Sequence, residues 1–233
     1  RNGRYVIAYN GEIYNYPVIR DRLIHEKKVT AFKGTSDTEA LLEAVSSYGL
    51  EETLKMSKGM FALALYDKKE KTLFLARDRV GEKPLYYGFM GKTFLFASEL
   101  GAIACVDGFQ APVHTGILDA YFRYGYIPAP HSVYQGIYKL EPGKILKLKA
   151  PFEHFEISTY WSMKEAACYG QTHLFQGSGQ EAAEELERRL KDAVRGQMVA
   201  DVPVGAFLSA GIDSSTIVSL MQSISDRSVR SYT

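Results

Sequence analysis

Residues 60–97 set the tightest limit on what this chain can fold into. Met60–Tyr66 and Thr72–Ala76 are apolar, strand-length runs joined by the charged turn Asp67–Lys71. Leu85–Phe89 and Thr93–Ala97 are joined across Met90-Gly91-Lys92. Both pairs have hairpin spacing. The preceding segment reads differently. A short strand over residues 4–9 meets Asn10-Gly11, which reads as a turn. Asn15 and Pro17 open a helix carrying Val18, Ile19 and Leu23. Ser36, with Glu39 three residues on, predicts a capping box for a second helix. That helix shows the stripe Leu41, Leu42, Val45 and Tyr48, and Gly49 stops it. Helices followed by hairpins, without strict alternation, predict an α+β arrangement of stacked layers.

The rest of the chain carries fewer signals. Pro112, Pro128, Pro130, Pro142 and Pro151 punctuate residues 108–151, which read as turns around short strands with one helix near Ile117–Tyr124. The polar stretch Lys164–Gly179 is the expected linker. Ser178 and Glu181 form a second capping box, opening a helix with the stripe Ala183, Leu186, Leu190, Ala193 and Val194. Glu184–Arg188, Glu185–Arg189 and Glu187–Lys191 are spaced for i,i+4 pairing. A strand-loop-helix follows: Val202–Leu208, Ser209–Asp213 and Ser214–Met221. The chain opens at Arg1 and closes at Thr233 inside strand-like sequence, so both ends are expected to be cuts.

Bulk properties exclude some partners. With 233 residues, 46% hydrophobic and 24% charged, the chain is ordinary for a globular protein. A formal net charge of +1 gives no basic footprint for nucleic acid or anionic lipid. No apolar run approaches the roughly 20 residues of a membrane helix, and the expected compartment is the cytoplasm. Cys105 and Cys168 fit neither a disulfide framework nor a metal spacing, and are expected to be buried or half-buried thiols. The five histidines are scattered without metal spacing.

Three stretches could carry chemistry. In Phe207-Leu208-Ser209-Ala210-Gly211-Ile212-Asp213-Ser214-Ser215 an apolar strand ends in small residues just before a helix. Backbone N–H groups and a helix N-terminus then converge on one point, which favours a phosphate. The hydroxyls of Ser209, Ser214 and Ser215 can donate to its oxygens, and Asp213 could hold Mg²⁺. The plainer reading is a strand-to-helix turn with Asp213 or Ser214 as an N-cap. In Tyr9-Asn10-Gly11-Glu12, with Asp37 downstream, Asn10 and the Gly11 N–H could donate to a carbonyl or oxyanion. Glu12 or Asp37 could pair with an ammonium. The plainer reading is an Asn-Gly turn and an ordinary cap at Ser36-Asp37. The charged run Arg77–Tyr87 reads as a solvated loop or a structural ion-pair network.

Taken in order, these stretches resemble the asparagine synthetase family of class II glutamine amidotransferases. Tyr9–Asn15 and Ser36-Asp37-Thr38-Glu39 resemble its glutamine-site segments, and Arg77–Gly88 its arginine-rich strand signature, here with Glu82 at a position often occupied by another residue. Phe96-Ala97-Ser98-Glu99 and Tyr126-Ile127-Pro128-Ala129-Pro130 are similar to two further blocks. Asp201–Ser215 resembles the run into the PP-loop of N-type ATP pyrophosphatases.

The resemblance implies an α+β N-terminal-nucleophile αββα sandwich, incomplete, over residues 1–163. A linker, 164–179, and the start of an α/β PP-loop ATP pyrophosphatase domain, 180–233, would follow. Asn10 and Gly11 would form the oxyanion hole, with the nucleophilic cysteine absent from the chain. Asn10, Gly11, Glu12 and Asp37 would bind glutamine. Phe207, Leu208, Ser209, Ala210, Gly211, Asp213, Ser214 and Ser215 would bind ATP and pyrophosphate, with Mg²⁺ at Asp213 and no prosthetic group. The implied reaction makes asparagine from aspartate, glutamine and ATP, releasing AMP and pyrophosphate, and these 233 residues alone are expected to be inactive. The alternatives are an amidotransferase acting on another carboxylate in polysaccharide or antibiotic synthesis, or a degenerate ligand-binding protein. Expected partners are small molecules, with no nucleic acid and no membrane, and a homodimer is the assembly to test. Ala210 replaces the first of two consecutive glycines usual at that point. Its methyl would strain the loop if φ is positive there and be harmless if φ is negative.

Overall fold

The computed structural model describes residues 3–200 and 202–233, so Arg1, Asn2 and Asp201 lie outside the described residues. The chain forms two compact units, Arg1–Cys168 and Tyr169–Thr233.

The first unit is built on a five-stranded antiparallel sheet. Its strands are β1 (Tyr5–Ile13), β2 (Gly59–Asp67), β3 (Thr72–Arg77), β7 (Lys144–Lys149) and β8 (Phe155–Thr159), in that order. A three-stranded sheet runs β5 (Thr93–Ala97), β4 (Tyr86–Met90), β6 (Ile137–Lys139). Strand β2 is apolar on both faces because both are covered. Phe61, Leu63 and Leu65 enter a cluster with Leu23, Leu41, Val45 and Leu54 from helices α1 (Tyr16–His25), α2 (Asp37–Tyr48) and α3 (Leu50–Met56). Ala62 and Ala64 enter a second cluster with Leu75, Leu85, Tyr87 and Leu146. Their small side chains let the two sheets approach closely. The layers therefore stack as helices, sheet, sheet. Short helices α4 (Leu100–Ala104) and α5 (Leu118–Tyr124) follow the second sheet in sequence, carrying or flanked by the buried Ile103 and Ile117.

The local reading is corrected at several points. Asn10-Gly11 is not a turn: it lies inside β1, with Asn10 opposite Ala62 and Gly11 opposite Phe61. The predicted capping box at Ser36 is half formed. The Ser36 hydroxyl accepts from Glu39 N–H, but the Glu39 carboxylate accepts from Lys33 and Gly34 N–H, both at 2.7 Å. Helix α3 has no counterpart in the sequence reading. Gly49, at φ +84°, both ends α2 and starts it. Cys105 and Cys168 are exposed rather than buried.

The expected linker 164–179 contains helix α6 (Met163–Thr172), none of whose residues is buried. In the second unit, α7 (Gly179–Gln197) opens with a complete Ser178–Glu181 capping box. Its anticipated stripe is only partly covered: Val194 is buried and Leu190 half-buried, while Ala183, Leu186 and Ala193 are exposed. Glu185–Arg189 and Glu187–Lys191 pair as expected, but Arg188 turns to Glu185 and Asp192. Strand β9 (Gly205–Phe207) pairs in parallel with β10 (Arg230–Tyr232), and α8 (Ile212–Ser223) follows β9.

Candidate functional site

Among the described residues β1 is the outer strand of its sheet. Phe61, opposite Gly11, turns both backbone groups away from β1. Its N–H donates to Asp78 Oδ2 (3.2 Å) and its carbonyl accepts from Asp78 N–H (2.8 Å). In an antiparallel ladder the backbone groups of the residue facing such a position also point outward. The Gly11 N–H therefore faces the open edge, as does that of Ile13, two residues on. Glycine is required at position 11 because the strands nearly touch there. A Cβ would lie 2.2 Å from Met60 O and 2.6 Å from Phe61 Cα.

Asp37, the first residue of α2, reaches this edge. Its Oδ2 accepts from Ile13 N–H (2.9 Å) and from the Tyr9 hydroxyl (2.7 Å). Thr38 Oγ1 donates to Oδ1 at 3.2 Å. Burial, then the Asp37 hydrogen bond and the charges of Asp37 and Glu12, push the Tyr9 pKa far above its ordinary value, so its hydroxyl remains a donor. On the other face of β1, the exposed Asn10 side chain donates Nδ2–H to Ser98 Oγ at 3.3 Å. Asn10 and Ser98 border a cavity of about 250 Å³ whose remaining wall includes Ala8, Ala62, Ala64 and Leu85. Strand β1 and its surroundings thus offer an outward backbone N–H, an amide and the Asp37 carboxylate, a set suited to a zwitterion bearing a polarised carbonyl.

The charged run Arg77–Tyr87 is neither a solvated loop nor an ion-pair network. Asp78 is fully buried, and its carboxylate accepts N–H bonds from Phe61, Val80, Gly81, Glu82 and Lys83. Arg77 donates to the carbonyls of Gly81, Lys83 and Leu140. Five backbone donors compensate the burial of one carboxylate without any cation. The network closes the loop behind β2 and so fixes Phe61 against Gly11.

In the second unit β9 leads into a loop whose hydroxyls converge. Ser209 Oγ and Ser214 Oγ are 2.8 Å apart, Ser209 N–H donates to Ser214 Oγ (3.2 Å), and Ser215 Oγ donates to Gly211 O (2.9 Å). The cap of α8 is Gly211, with no side-chain cap, so the anticipated Asp213 or Ser214 cap does not form. Phe207 is 86% exposed, and Asp213 is exposed in the first turn of α8. Among the described non-glycine residues, positive φ occurs at Lys27, Lys71 and Phe152, so Ala210 is free of left-handed strain. A cavity of about 400 Å³ borders this loop and α8, touching Ala210, Gly211, Ile212 and Ser215. Among the described residues no cluster of three or more His, Cys, Asp or Glu could hold a metal ion.

Comparison with known proteins places these features. The family model described as "Glutamine amidotransferase domain" matches residues 1–161. The chain belongs to the glutamine amidotransferase domain family. Residues 185–233 match the family model "Asparagine synthase". A relative from Methanocaldococcus jannaschii, "Putative asparagine synthetase [glutamine-hydrolyzing] 2", is 36% identical over 96% of this chain and 41% of its own length. "Asparagine synthetase [glutamine-hydrolyzing] 3" of Bacillus subtilis is 35% identical over 93% of this chain and 33% of its own length. The chain thus spans about two fifths or less of these relatives. A solved glutamine phosphoribosylpyrophosphate amidotransferase from B. subtilis aligns with TM-score 0.49 and 24% identity, over 70% of this chain and 30% of that one.

In the amidotransferase unit, the residues picked out in the sequence divide around β1. Gly11 lies in the strand edge, Asp37 reaches it from the helix layer, and Asn10 projects from the opposite face. The sequence reading assigned no role to two residues that hold this arrangement, Tyr9 and Ser98. Both stand inside quoted motifs, but a tyrosine in a strand reads as packing and a serine beside a helix start reads as a cap. None of Phe207–Ser215 belongs to the amidotransferase unit; all lie in the asparagine synthase match.

Proposed function

We propose that the protein is a glutamine-dependent, ATP-consuming amide-forming enzyme that converts aspartate to asparagine and releases AMP and pyrophosphate. The observation that carries this reading is Asp37 held against the open edge of β1, beside the outward Gly11 N–H. Asn10 Nδ2 and the Gly11 N–H would stabilise the oxyanion formed on the glutamine amide, and Glu12 and Asp37 would pair with its α-ammonium. Neither Cys105 nor Cys168 lines the cavity beside Asn10, so neither is placed to act as the nucleophile there. The 233-residue chain by itself is therefore expected to release no glutamate from glutamine.

The second unit would supply the nucleotide site. Ser209, Ala210, Gly211, Ser214 and Ser215, at the N-terminus of α8, suit pyrophosphate through hydroxyls and backbone N–H groups. Phe207 and Leu208 lead the chain into that loop. Asp213 offers Mg²⁺ one carboxylate, and phosphate oxygens and water would complete the coordination. Cytoplasmic synthesis from small-molecule substrates, in two domains joined across 164–179, fits this chemistry. The test is to incubate the protein at its full encoded length with amide-¹⁵N glutamine, aspartate and ATP-Mg²⁺. Labelled asparagine with one AMP and one pyrophosphate per turnover is expected. Glutamate release without asparagine would remove aspartate as the acceptor, and no glutamate release would remove the glutaminase reading.

A further inference from the structure

We propose that Tyr9 is a positioning residue for Asp37, fixing which carboxylate oxygen faces the α-ammonium of the bound amino acid. This rests on the glutamine reading of the site and adds a specificity device to it.

Asp37 Oδ2 already receives two donors, the Tyr9 hydroxyl at 2.7 Å and the Ile13 N–H at 2.9 Å. Oδ1 receives only the longer Thr38 Oγ1 contact of 3.2 Å, which leaves acceptor capacity for an incoming cation. Of the two donors on Oδ2, the Ile13 N–H belongs to the sheet and its position follows from strand geometry. The Tyr9 hydroxyl is the one supplied by a side chain. Its ring packs against the helix-side core cluster, so the hydroxyl is held from behind. Tyr9 and Asp37 come from different layers, 28 residues apart, and meet where the motifs around Asn10 and Ser36 converge.

Removing that hydroxyl leaves the Asp37 carboxylate held by the Ile13 N–H and the longer Thr38 Oγ1 contact. The group can then turn, and a ligand ammonium must order it on binding. The loss should fall on ligands carrying the α-ammonium and spare those without it. It should appear in binding and not in the chemical step, because the Tyr9 hydroxyl is committed to Asp37 and not to the proposed oxyanion donors Asn10 and Gly11.

The experiment uses the protein at its full encoded length with Tyr9→Phe, which removes one oxygen and keeps the ring. Glutaminase kinetics are measured with L-glutamine, and Ki is measured for glutaramate, the same amide without the amino group. The expected result is a roughly tenfold higher KM for glutamine, the scale of one hydrogen bond to a charged group. The kcat should stay within about twofold, and Ki for glutaramate should not change. In an Asp37→Asn background, Tyr9→Phe should add no further loss. An equal rise for glutamine and glutaramate, or a fall in kcat at unchanged KM, would show that Tyr9 serves the sheet and overturn the assignment. If the unmodified protein shows no saturable glutamine hydrolysis, the glutamine reading itself fails, and the assignment falls with it.

Discussion

Gly11 is the residue on which the close approach of β1 to β2 depends most directly. Its Cα sits where β1 and β2 come closest, and an added methyl would stand 2.2 Å from a carbonyl oxygen of the partner strand. Gly11→Ala should therefore push the strands apart and cost about 1–3 kcal/mol, the usual range for overpacking. Urea denaturation reads this as a lower midpoint at constant slope. An unchanged midpoint would mean that the pair opens freely. Ala210 behaves in the opposite way. Because it does not occupy the left-handed region, its methyl adds no backbone strain. Ala210→Gly in the full-length protein should leave the KM for ATP within about twofold, since only chain entropy changes. A clear tightening in nucleotide titrations would show that the methyl crowds the phosphate.

At the scale of elements, the start of β1 is tied to the end of β2 by Arg4 and Asp67. Arg4 Nη2 lies 2.6 Å from Asp67 Oδ2, Nε bonds both oxygens, and Lys69 and Glu70 N–H also donate to Oδ1. The Arg4 hydrogen bond, chiefly, holds the Asp67 carboxyl below its ordinary pKa. A carboxyl depressed by folding stabilises the native state above the ordinary carboxylate range. That contribution fades as pH falls through the lower, folded value. Asp67→Asn should cost about 1 kcal/mol at pH 7, a figure kept small because the Arg4 side chain is 38% exposed. The gap between variant and wild type should close below about pH 4 in acid-denaturation curves. A constant gap down to pH 2 would contradict the linkage.

The elements also show what was legible beforehand. Strands β2 to β5 could be read because each is a strand-length apolar run bounded by a turn. The Asn10-Gly11 strand end could not, since a glycine required by close approach looks the same in sequence as one required by a turn. Asp78 escaped because its partners are backbone N–H groups, which every sequence contains. The burial of the α7 stripe was overread because an apolar face is buried only where a neighbour covers it, and here only Val194 is fully covered. Asn10, Gly11 and Asp37 stood out as candidates in the sequence, whereas the hydrogen bonds of Tyr9 to Asp37 and of Ser98 to Asn10 are long-range contacts that no local pattern announces.

Across the whole molecule the two units differ in how much they bury. The second has Val194, Leu220 and Met221 as its buried apolar residues among those described, while Phe207 and Ile212 are more than four-fifths exposed. The first holds two large clusters, and β2 contributes to both. Phe61, Leu63 and Leu65 belong to one, and Ala62 and Ala64 to the other. A strand shared in this way makes the two clusters thermodynamically inseparable, because peeling β2 from either exposes the other to water. The first unit should then melt as one event, with calorimetric and van't Hoff enthalpies equal for its transition. Two resolved endotherms assigned to it would mean that β2 is not the common wall. If it is, a lesion beneath the helices will be felt on the far sheet, and the ligand edge of β1 will keep its shape until the whole unit gives way.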